Sequence, residues 1–178
     1  MKPISNWFAG ASLLLTLSAA AADAPASTPV PYPLDNIPEN LPFNLPYGPP
    51  ISLDTAETVV SAAMVEAKRH NWPLNIAVVD SGAQLVLFKR MDGAMLGSIA
   101  VAEHKARTSA KFRRETRVFE EAIQRNGYNY VLTLDDVIAS RGGIPLVAGG
   151  KLVGAIGCSG GTSSQDEVVC KAGAAALK

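Results

Sequence analysis

The sequence predicts an α+β fold, in which an antiparallel sheet is flanked by α-helices in a single domain. Gly149-Gly150 separates two apolar runs, and Asp80-Ser81-Gly82 separates two more. Short glycine-containing segments between apolar runs favour tight hairpin turns, because such turns need residues with positive φ. Helical patterns precede, separate and follow the two hairpins, which disfavours a doubly wound parallel sheet.

The first helix is predicted to extend to about His70. Its apolar residues recur at the i, i+3, i+4, i+7 spacing of an amphipathic helix; they are Ala56, Val59, Val60, Ala63, Met64 and Ala67. Ser52 or Asp54 can cap this helix, and Asp54 would form a capping box with Glu57. His70, at the helix end, is expected to contact the terminal carbonyls.

The first hairpin is predicted over residues 74–80 and 84–90, with Gly82 in the left-handed position of the turn. Helical patterns then cover residues 96–112 and 114–125, and a loop leads into the segment around residues 131–140. The second hairpin pairs residues 144–148 with 151–157. A final helix is expected over residues 165–177.

Residues 1–22 have the features of a secretory signal peptide. Lys2 precedes an uncharged stretch whose apolar part runs from Phe8 to Ala22 and ends on three alanines. Cleavage is expected after Ala22, and the Ala/Ser/Thr-rich run is too weakly apolar for a membrane anchor. The sequence therefore predicts an exported protein, periplasmic or extracellular, without stable membrane insertion after cleavage.

Residues 23–50 are predicted to form a proline-rich arm ahead of a domain spanning residues 51–178. The arm contains 9 of the 12 prolines, which excludes a helix or a central strand there. Apolar residues alternate with others in its second half, at Leu41, Phe43, Leu45 and Tyr47. This half is expected to pack on its own domain or on a neighbouring subunit.

The formal net charge is zero, which gives no indication of nucleic-acid binding. Basic residues are nevertheless concentrated between Lys89 and Arg117. This concentration is either a solvated helix face or a surface that attracts an anionic small molecule.

The sequence from Arg141 to Gly161 is rich in glycine and ends at a strand-to-helix junction, Ser159-Gly160-Gly161. A backbone without Cβ atoms can approach a ligand closely at a helix N-terminus, and the alternative is a tight turn with no ligand. The junction has neither a phosphate-loop nor a dinucleotide-binding pattern, so no nucleotide cofactor is expected. Hydrolase motifs and clustered metal ligands are also missing from the sequence.

Three motifs in order resemble the GlcG/HbpS family of haem-degrading domains, to which the C-terminal domain of the PduO cobalamin adenosyltransferase is related. They are VVDSGAQLVLFKRMDGA (78–94), EHKARTSAKF (103–112) and SRGGIPLVAGGKLVGAIGCSGGTSSQDEVVCKAGA (140–174). The resemblance covers residues 51–178. It implies a profilin-like sheet, a homo-oligomer and, in some members, binding of haem, iron or corrinoids.

His104 is the candidate ligand for haem iron, because imidazole commonly ligates it. On a helix His104 shares a face with Thr108 and Lys111, and Arg107 and Lys111 supply cations for anionic propionates. The alternative is a purely structural histidine on a polar face. The family resemblance also implies a haem contact near Thr108.

Lys105 and Arg141 are candidate anion-binding residues. Lys105 belongs to the Lys-Ala step typical of the family, and it is expected to pair with Asp80 or Asp92 or to contact a ligand carboxylate. Arg141 precedes two glycines and suits an anion clamp. Its alternative is a salt bridge to Asp135, Asp136 or Asp166.

The two cysteines, Cys158 and Cys170, either form a disulfide or remain buried thiols. Relatives with small apolar residues at these positions indicate that the family does not require a bridge.

Binding of haem or a related tetrapyrrole, for storage, sensing or slow degradation, is the leading functional hypothesis. The candidate binding residues are His104, Lys105, Arg107, Thr108, Arg141, Ser159, Gly160 and Gly161. The alternatives are a binding module for a small organic acid or aldehyde in a periplasmic oxidation pathway, with Arg141 and Lys105 on the carboxylate, and a structural assembly protein without ligand. No residue set compels an enzymatic activity.

Overall fold

The computed structural model describes residues 37–41 and 43–177. The predicted signal peptide, its cleavage site and most of the proline-rich arm lie outside these residues. From Asn40 onward the chain forms one unit. Its elements in order are α1 (Leu53–Arg69), β1 (Asn75–Asp80), β2 (Leu85–Arg90), α2 (Ser98–Phe112), α3 (Arg117–Gln124), a 3₁₀ helix (Asn129–Thr133), β3 (Gly143–Ala148), β4 (Lys151–Ser159) and α4 (Ser163–Ala174).

The four strands form one antiparallel sheet in the order β2-β1-β4-β3, which confirms the predicted α+β class. Successive residues of a strand point to opposite faces. In β1, Ile76 and Val78 join a core with α1 and α4, while Ala77 and Val79 join a second core with α2. The sheet therefore lies between α2 on one face and the α1–α4 pair on the other.

Both predicted hairpins are present. Gly149 and Gly150 have φ values of 56° and 73°, as a primed two-residue turn requires. In the first hairpin the prediction for Gly82 was wrong, since Ala83 is the residue in the left-handed region, at φ 64°. The carboxylate of Asp80 fixes this turn by accepting the backbone N–H groups of Gly82 and Gln84.

Capping side chains set the starts of α1 and α4. Ser52 caps α1 by accepting the N–H of Thr55, so the alternative cap at Asp54 was wrong. The capping box of this chain is instead at α4, between Thr162 and Gln165. It starts α4 at Ser163, two residues before the predicted position.

Two glycines of the second hairpin allow α2 to lie directly on the sheet. A Cβ atom on Gly157 would be 2.1 Å from the carbonyl oxygen of Ala102, and one on Gly143 would be 2.3 Å from that of Lys105. Both distances are far below van der Waals contact. Close helix–sheet packing is thus a role of this glycine-rich sequence that neither the tight-turn nor the ligand interpretation predicted.

The two cysteines form a disulfide, which resolves the alternatives left by the sequence. Cys158 of β4 and Cys170 of α4 are joined with Cα atoms 5.7 Å apart, and both residues are fully buried. The bridge ties the end of the sheet to the last helix.

The second half of the arm packs on its own domain. Tyr47 forms a parallel bridge with Leu152, on the first part of β4. The Tyr47 hydroxyl donates to the carbonyl of Lys111, and the Arg113 guanidinium donates to the carbonyls of Leu45 and Phe43. The bond from Tyr47 also satisfies a carbonyl in the last turn of α2. In the described part of the chain, no helix has both the length and the apolarity to cross a membrane.

Candidate functional site

His104 lies in the middle of α2 and is partly buried. Its Nε2 atom is buried and has no hydrogen-bond partner among the described residues. Buried polar atoms nearly always have a hydrogen-bond partner, so an unpaired ring nitrogen is a candidate ligand-binding atom. The Nε2 atom is therefore the atom of His104 that is available for the predicted role as a ligand of haem iron.

Thr108, one turn further along α2, is fully buried. Its hydroxyl donates to the carbonyl of Asp136 at 2.7 Å and accepts the N–H of Ile138 at 3.1 Å. Residues 134–140, which we call the strap, therefore lie against the face of α2 that carries Thr108. The one donor of the Thr108 hydroxyl is therefore used by the strap in this conformation.

A second anchor of the strap is the ion pair between Lys111 and Asp136. The hydrogen bond and charge of Lys111 lower the pKa of Asp136, against a smaller opposing effect of burial. The backbone of Asp136 is left-handed, at φ 60°. Two residues of the predicted stripe, Thr108 and Lys111, thus contact the strap, and His104 lies one turn before Thr108 on the same helix.

Lys105 points away from this stripe and into the protein. Its side chain is 1% exposed, and its Nζ atom lies 2.7 Å from the carboxylate of Asp166. The other oxygen of Asp166 accepts the N–H of Gly161. The expected pairing of Lys105 with Asp80 or Asp92 was therefore wrong, because Lys105 faces α4 rather than the first hairpin.

Arg141 is paired with Glu120 of α3. The guanidinium reaches a Glu120 oxygen at 2.6 Å, and the backbone N–H of Arg141 donates to the other oxygen. Burial acts to raise the pKa of Glu120, but the hydrogen bonds and charge of Arg141 lower it overall. The alternative predicted for Arg141, a salt bridge, is present, but its partner is Glu120 and not Asp135, Asp136 or Asp166. Glu167 lies further from Arg141, at 3.6 Å.

The strand-to-helix junction is filled by protein groups. Ser159 is 5% exposed, and a Cβ atom on Gly160 would be 2.8 Å from the carbonyl oxygen of Pro73. The N–H of Gly161 is already bound to Asp166. In this conformation the junction offers no free N–H at Gly161 and no open approach at Gly160.

The predicted site residues therefore separate into groups. His104 and Thr108 share one face with Lys111, Lys105 and Gly161 meet at Asp166, and Arg141 joins the network of α3. Arg107 is partly exposed and paired with Glu103 at 3.2 Å. Three acidic partners were not predicted: Glu120 for Arg141, Asp136 for Lys111 and Asp166 for Lys105. Their sequence signal is only a charge opposite to that of the partner.

An open cavity of about 340 Å³ lies elsewhere, between the end of α1 and the end of β2. Its lining residues are Lys68, Asn71, Trp72, Pro73, Met91 and Asp92. His70 stacks on Trp72 with ring centroids 4.2 Å apart, and its Nε2 atom is 3.1 Å from Glu66. The imidazole of His70 thus contacts a carboxylate and an indole, while the backbone N–H of His70 makes the expected contact with the terminal carbonyls of α1, at Ala67 and Lys68.

Residues 51–175 match the sequence profile of the family described as haem degrading protein, HbpS-like. The chain belongs to the HbpS-like family. It is 39% identical to the protein GlcG of Escherichia coli K12 over 109 residues, covering 61% of this chain and 81% of GlcG.

Solved structures of HbpS-like proteins have the same fold. A double mutant of Streptomyces reticuli HbpS superposes with a TM-score of 0.68 at 26% identity, covering 80% of this chain and 98% of HbpS. A complex of the PduO C-terminal domain with haem gives a TM-score of 0.65 at 26% identity, covering 72% of this chain and 96% of that one. These matches confirm the resemblance seen in the sequence and its profilin-like α+β fold.

Proposed function

We propose that this chain is an exported HbpS-like domain that binds haem or a related tetrapyrrole through His104, for storage, sensing or slow degradation. The buried, unpaired Nε2 atom of His104 carries the proposal, because a neutral imidazole nitrogen is a common protein ligand of haem iron. The haem complex of the structurally similar PduO domain supports a tetrapyrrole as the ligand class.

The residues around His104 fit such a ligand. Lys111 and Arg107 follow His104 on the same side of α2, and cations near a porphyrin suit its anionic propionates. Both cations are paired in this structure, with Asp136 and Glu103, but these pairs are partly exposed, where ion pairs contribute little and a propionate can compete. When bound, haem would supply an iron centre for coordination or redox chemistry. The chain itself would supply the imidazole, the neighbouring cations and the buried surface that limits access of water.

Titration of the purified domain with haemin tests this proposal. We expect a saturable Soret shift with the wild-type protein and a weakened or altered one with His104→Ala. His70→Ala is the matched control, because it removes the other histidine from a different surface. The absence of any saturable shift in the wild type would refute tetrapyrrole binding, whereas an unchanged shift in His104→Ala would refute only the assignment of His104.

Export is part of the proposal. The disulfide between Cys158 and Cys170 supports it, because disulfides persist mainly in oxidising compartments such as the periplasm and the extracellular space. Fractionation of cells that express the full chain tests this proposal. A full-length, unprocessed protein found only in the cytoplasm would contradict it.

The proposal also includes a homo-oligomer that is at least dimeric, as the resemblance to the family implies. Light scattering on the mature protein checks it, and a monomer of about 16 kDa, from chain length at typical residue mass, would refute it. Removal of residues 23–50 shows whether the arm contributes to the interface. The contacts of Tyr47 and Arg113 within one chain support a role of the arm in domain stability.

A small organic acid or aldehyde as the ligand has less support from the geometry. That alternative requires Lys105 and Arg141 to bind a carboxylate, yet Asp166 and Glu120 already occupy these cations. A carboxylate ligand would have to displace a protein carboxylate at each position. Thermal stabilisation by small carboxylates in the absence of haemin would favour this alternative.

A further inference from the structure

We propose that the strap, residues 134–140, is a latch over the His104 face of α2, and that His104 binds a ligand only after the strap is released. This inference rests on the proposed function, because it concerns access to the same histidine. It assigns to Thr108 a positioning role, namely holding the strap closed rather than contacting the ligand.

The closed position depends on two anchors one turn apart. The Thr108 hydroxyl makes two hydrogen bonds to the strap, at the carbonyl of Asp136 and the N–H of Ile138. Lys111 holds the carboxylate of the same Asp136. Asp136 is thus held at both its backbone and its side chain, on the face of the helix that also carries His104.

Opening of the strap requires little free energy. It contains no helix or strand, and residues 134–136 are exposed. The Lys111–Asp136 pair is also nearly half exposed, and exposed ion pairs contribute little. The left-handed backbone of Asp136 adds strain to the closed form. Few buried contacts and a strained residue are typical of segments that open locally while the rest of a domain stays folded.

In this conformation the Nε2 atom of His104 is buried without a hydrogen-bond partner among the described residues, and the Thr108 hydroxyl donates its one hydrogen to the strap. A ligand that binds the imidazole binds only the open form. Its apparent dissociation constant is therefore the intrinsic value divided by the fraction of molecules that are open. Weakening either anchor should therefore expose His104 and speed ligand binding.

The first experiment measures the accessibility of His104 without any ligand. Diethyl pyrocarbonate modifies imidazole nitrogens that solvent can reach, and peptide mass spectrometry separates His104 from His70. When opening is fast, the rate for His104 follows the population of the open strap. We expect slow modification of His104 in the wild type and an increase of about tenfold in Thr108→Val, which removes both hydrogen bonds.

Asp136→Asn provides a second, milder variant, because asparagine tolerates the left-handed backbone and only the ion pair is lost. We expect a rise of about twofold to fivefold in the His104 rate, as for the loss of an exposed pair. Asp135→Asn is the matched control, since it removes a neighbouring carboxylate of the strap and should leave the rate unchanged. The rate for His70 should be the same in all four proteins.

Two outcomes would overturn the latch. One is a wild-type His104 that reacts as fast as in the urea-unfolded chain. The other is a rate unchanged in both Thr108→Val and Asp136→Asn. Far-UV circular dichroism and the constant His70 rate ensure that a rise reflects the strap and not global unfolding.

Stopped-flow mixing with haemin then connects the strap to binding. We expect haemin to associate faster with Asp136→Asn than with the wild type or Asp135→Asn. If His104 becomes accessible in the variants but no protein binds haemin, the proposed function fails while the strap remains. If haemin binds all proteins at one rate, the strap does not control access and this inference fails while the proposed function stands.

Discussion

The ammonium group of Lys105 lies 2.7 Å from a carboxylate oxygen of Asp166, and both side chains are almost completely buried. The pair connects the middle of α2 with the first turn of α4, 61 residues later in the chain. Gly142 lies over it, since a Cβ atom there would be 3.2 Å from the Lys105 Nζ atom. A larger residue at position 142 would disturb both charged groups.

We predict that Lys105→Met lowers the free energy of unfolding by about 3–5 kcal/mol, because it leaves the Asp166 carboxylate buried without its counter-charge. The double variant Lys105→Met/Asp166→Asn should recover most of this loss, since no charge is then stranded. Urea unfolding measures both values, with exposed Lys151→Met as the control. A single variant as stable as the wild type would show that the pair is not buried in solution.

Gly157→Ala should lower the free energy of unfolding by about 3 kcal/mol or more, in the range of overpacked cores. The added methyl group would clash with the backbone of α2 at Ala102 and Ala106. Gly97→Ala is the control, because a Cβ atom at Gly97 meets nothing within 4 Å. Thermal unfolding of the two variants should differ clearly, and equal stabilities would contradict the close helix–sheet contact.

Removal of the disulfide, in the double variant Cys158→Ala/Cys170→Ala, should destabilise the domain by about 2–4 kcal/mol. The bridge closes a short loop, and its loss increases the conformational freedom of the unfolded chain. Urea unfolding of this variant, compared with the wild type with and without reductant, measures the effect. Two free thiols titrated in the unreduced, denatured wild type would contradict the bridge.

The stability of the domain should decrease in acid through Glu120. The folded-state pKa of Glu120 is lowered, so its pairing with Arg141 stabilises the protein fully above the unfolded pKa of about 4.3. The stabilisation is lost as the pH falls through the lower, folded-state value. Glu120→Gln should be less stable at neutral pH and should approach the wild type in acid.

Urea unfolding between neutral pH and strong acid tests this prediction as the difference between wild type and Glu120→Gln. Glu57→Gln, on the exposed side of α1, is the control for removing a carboxylate. A stability difference that grows as the pH falls would show the opposite sign and would contradict the lowered pKa.

The elements of this fold could be predicted because their signals are local. The Gly149-Gly150 turn and the apolar spacing of α1 depend on neighbours within a few residues, and both predictions were confirmed. The end of α3 at Gln124 is also close to its predicted position. Local rules were less accurate where two residues were suited to one role, as with Gly82 and Ala83.

The partners of the charged residues could not be predicted, because they depend on how distant elements pack. Lys105 had several acidic residues within reach of a plausible fold, and only the position of α4 on the sheet selects Asp166. Arg141 likewise finds Glu120 because α3 lies beside it. The strap follows no periodic pattern, so its contact with Thr108 becomes visible only in three dimensions.

The absence of side chains at Gly143 and Gly157 has a consequence for motion in this domain. At these two positions the backbone of α2 lies directly on β3 and β4, which restricts sliding and rotation of the helix on the sheet. A conformational change around His104 would then involve the strap and not a movement of α2. The imidazole of His104 would then keep a fixed orientation relative to the sheet while the strap moves.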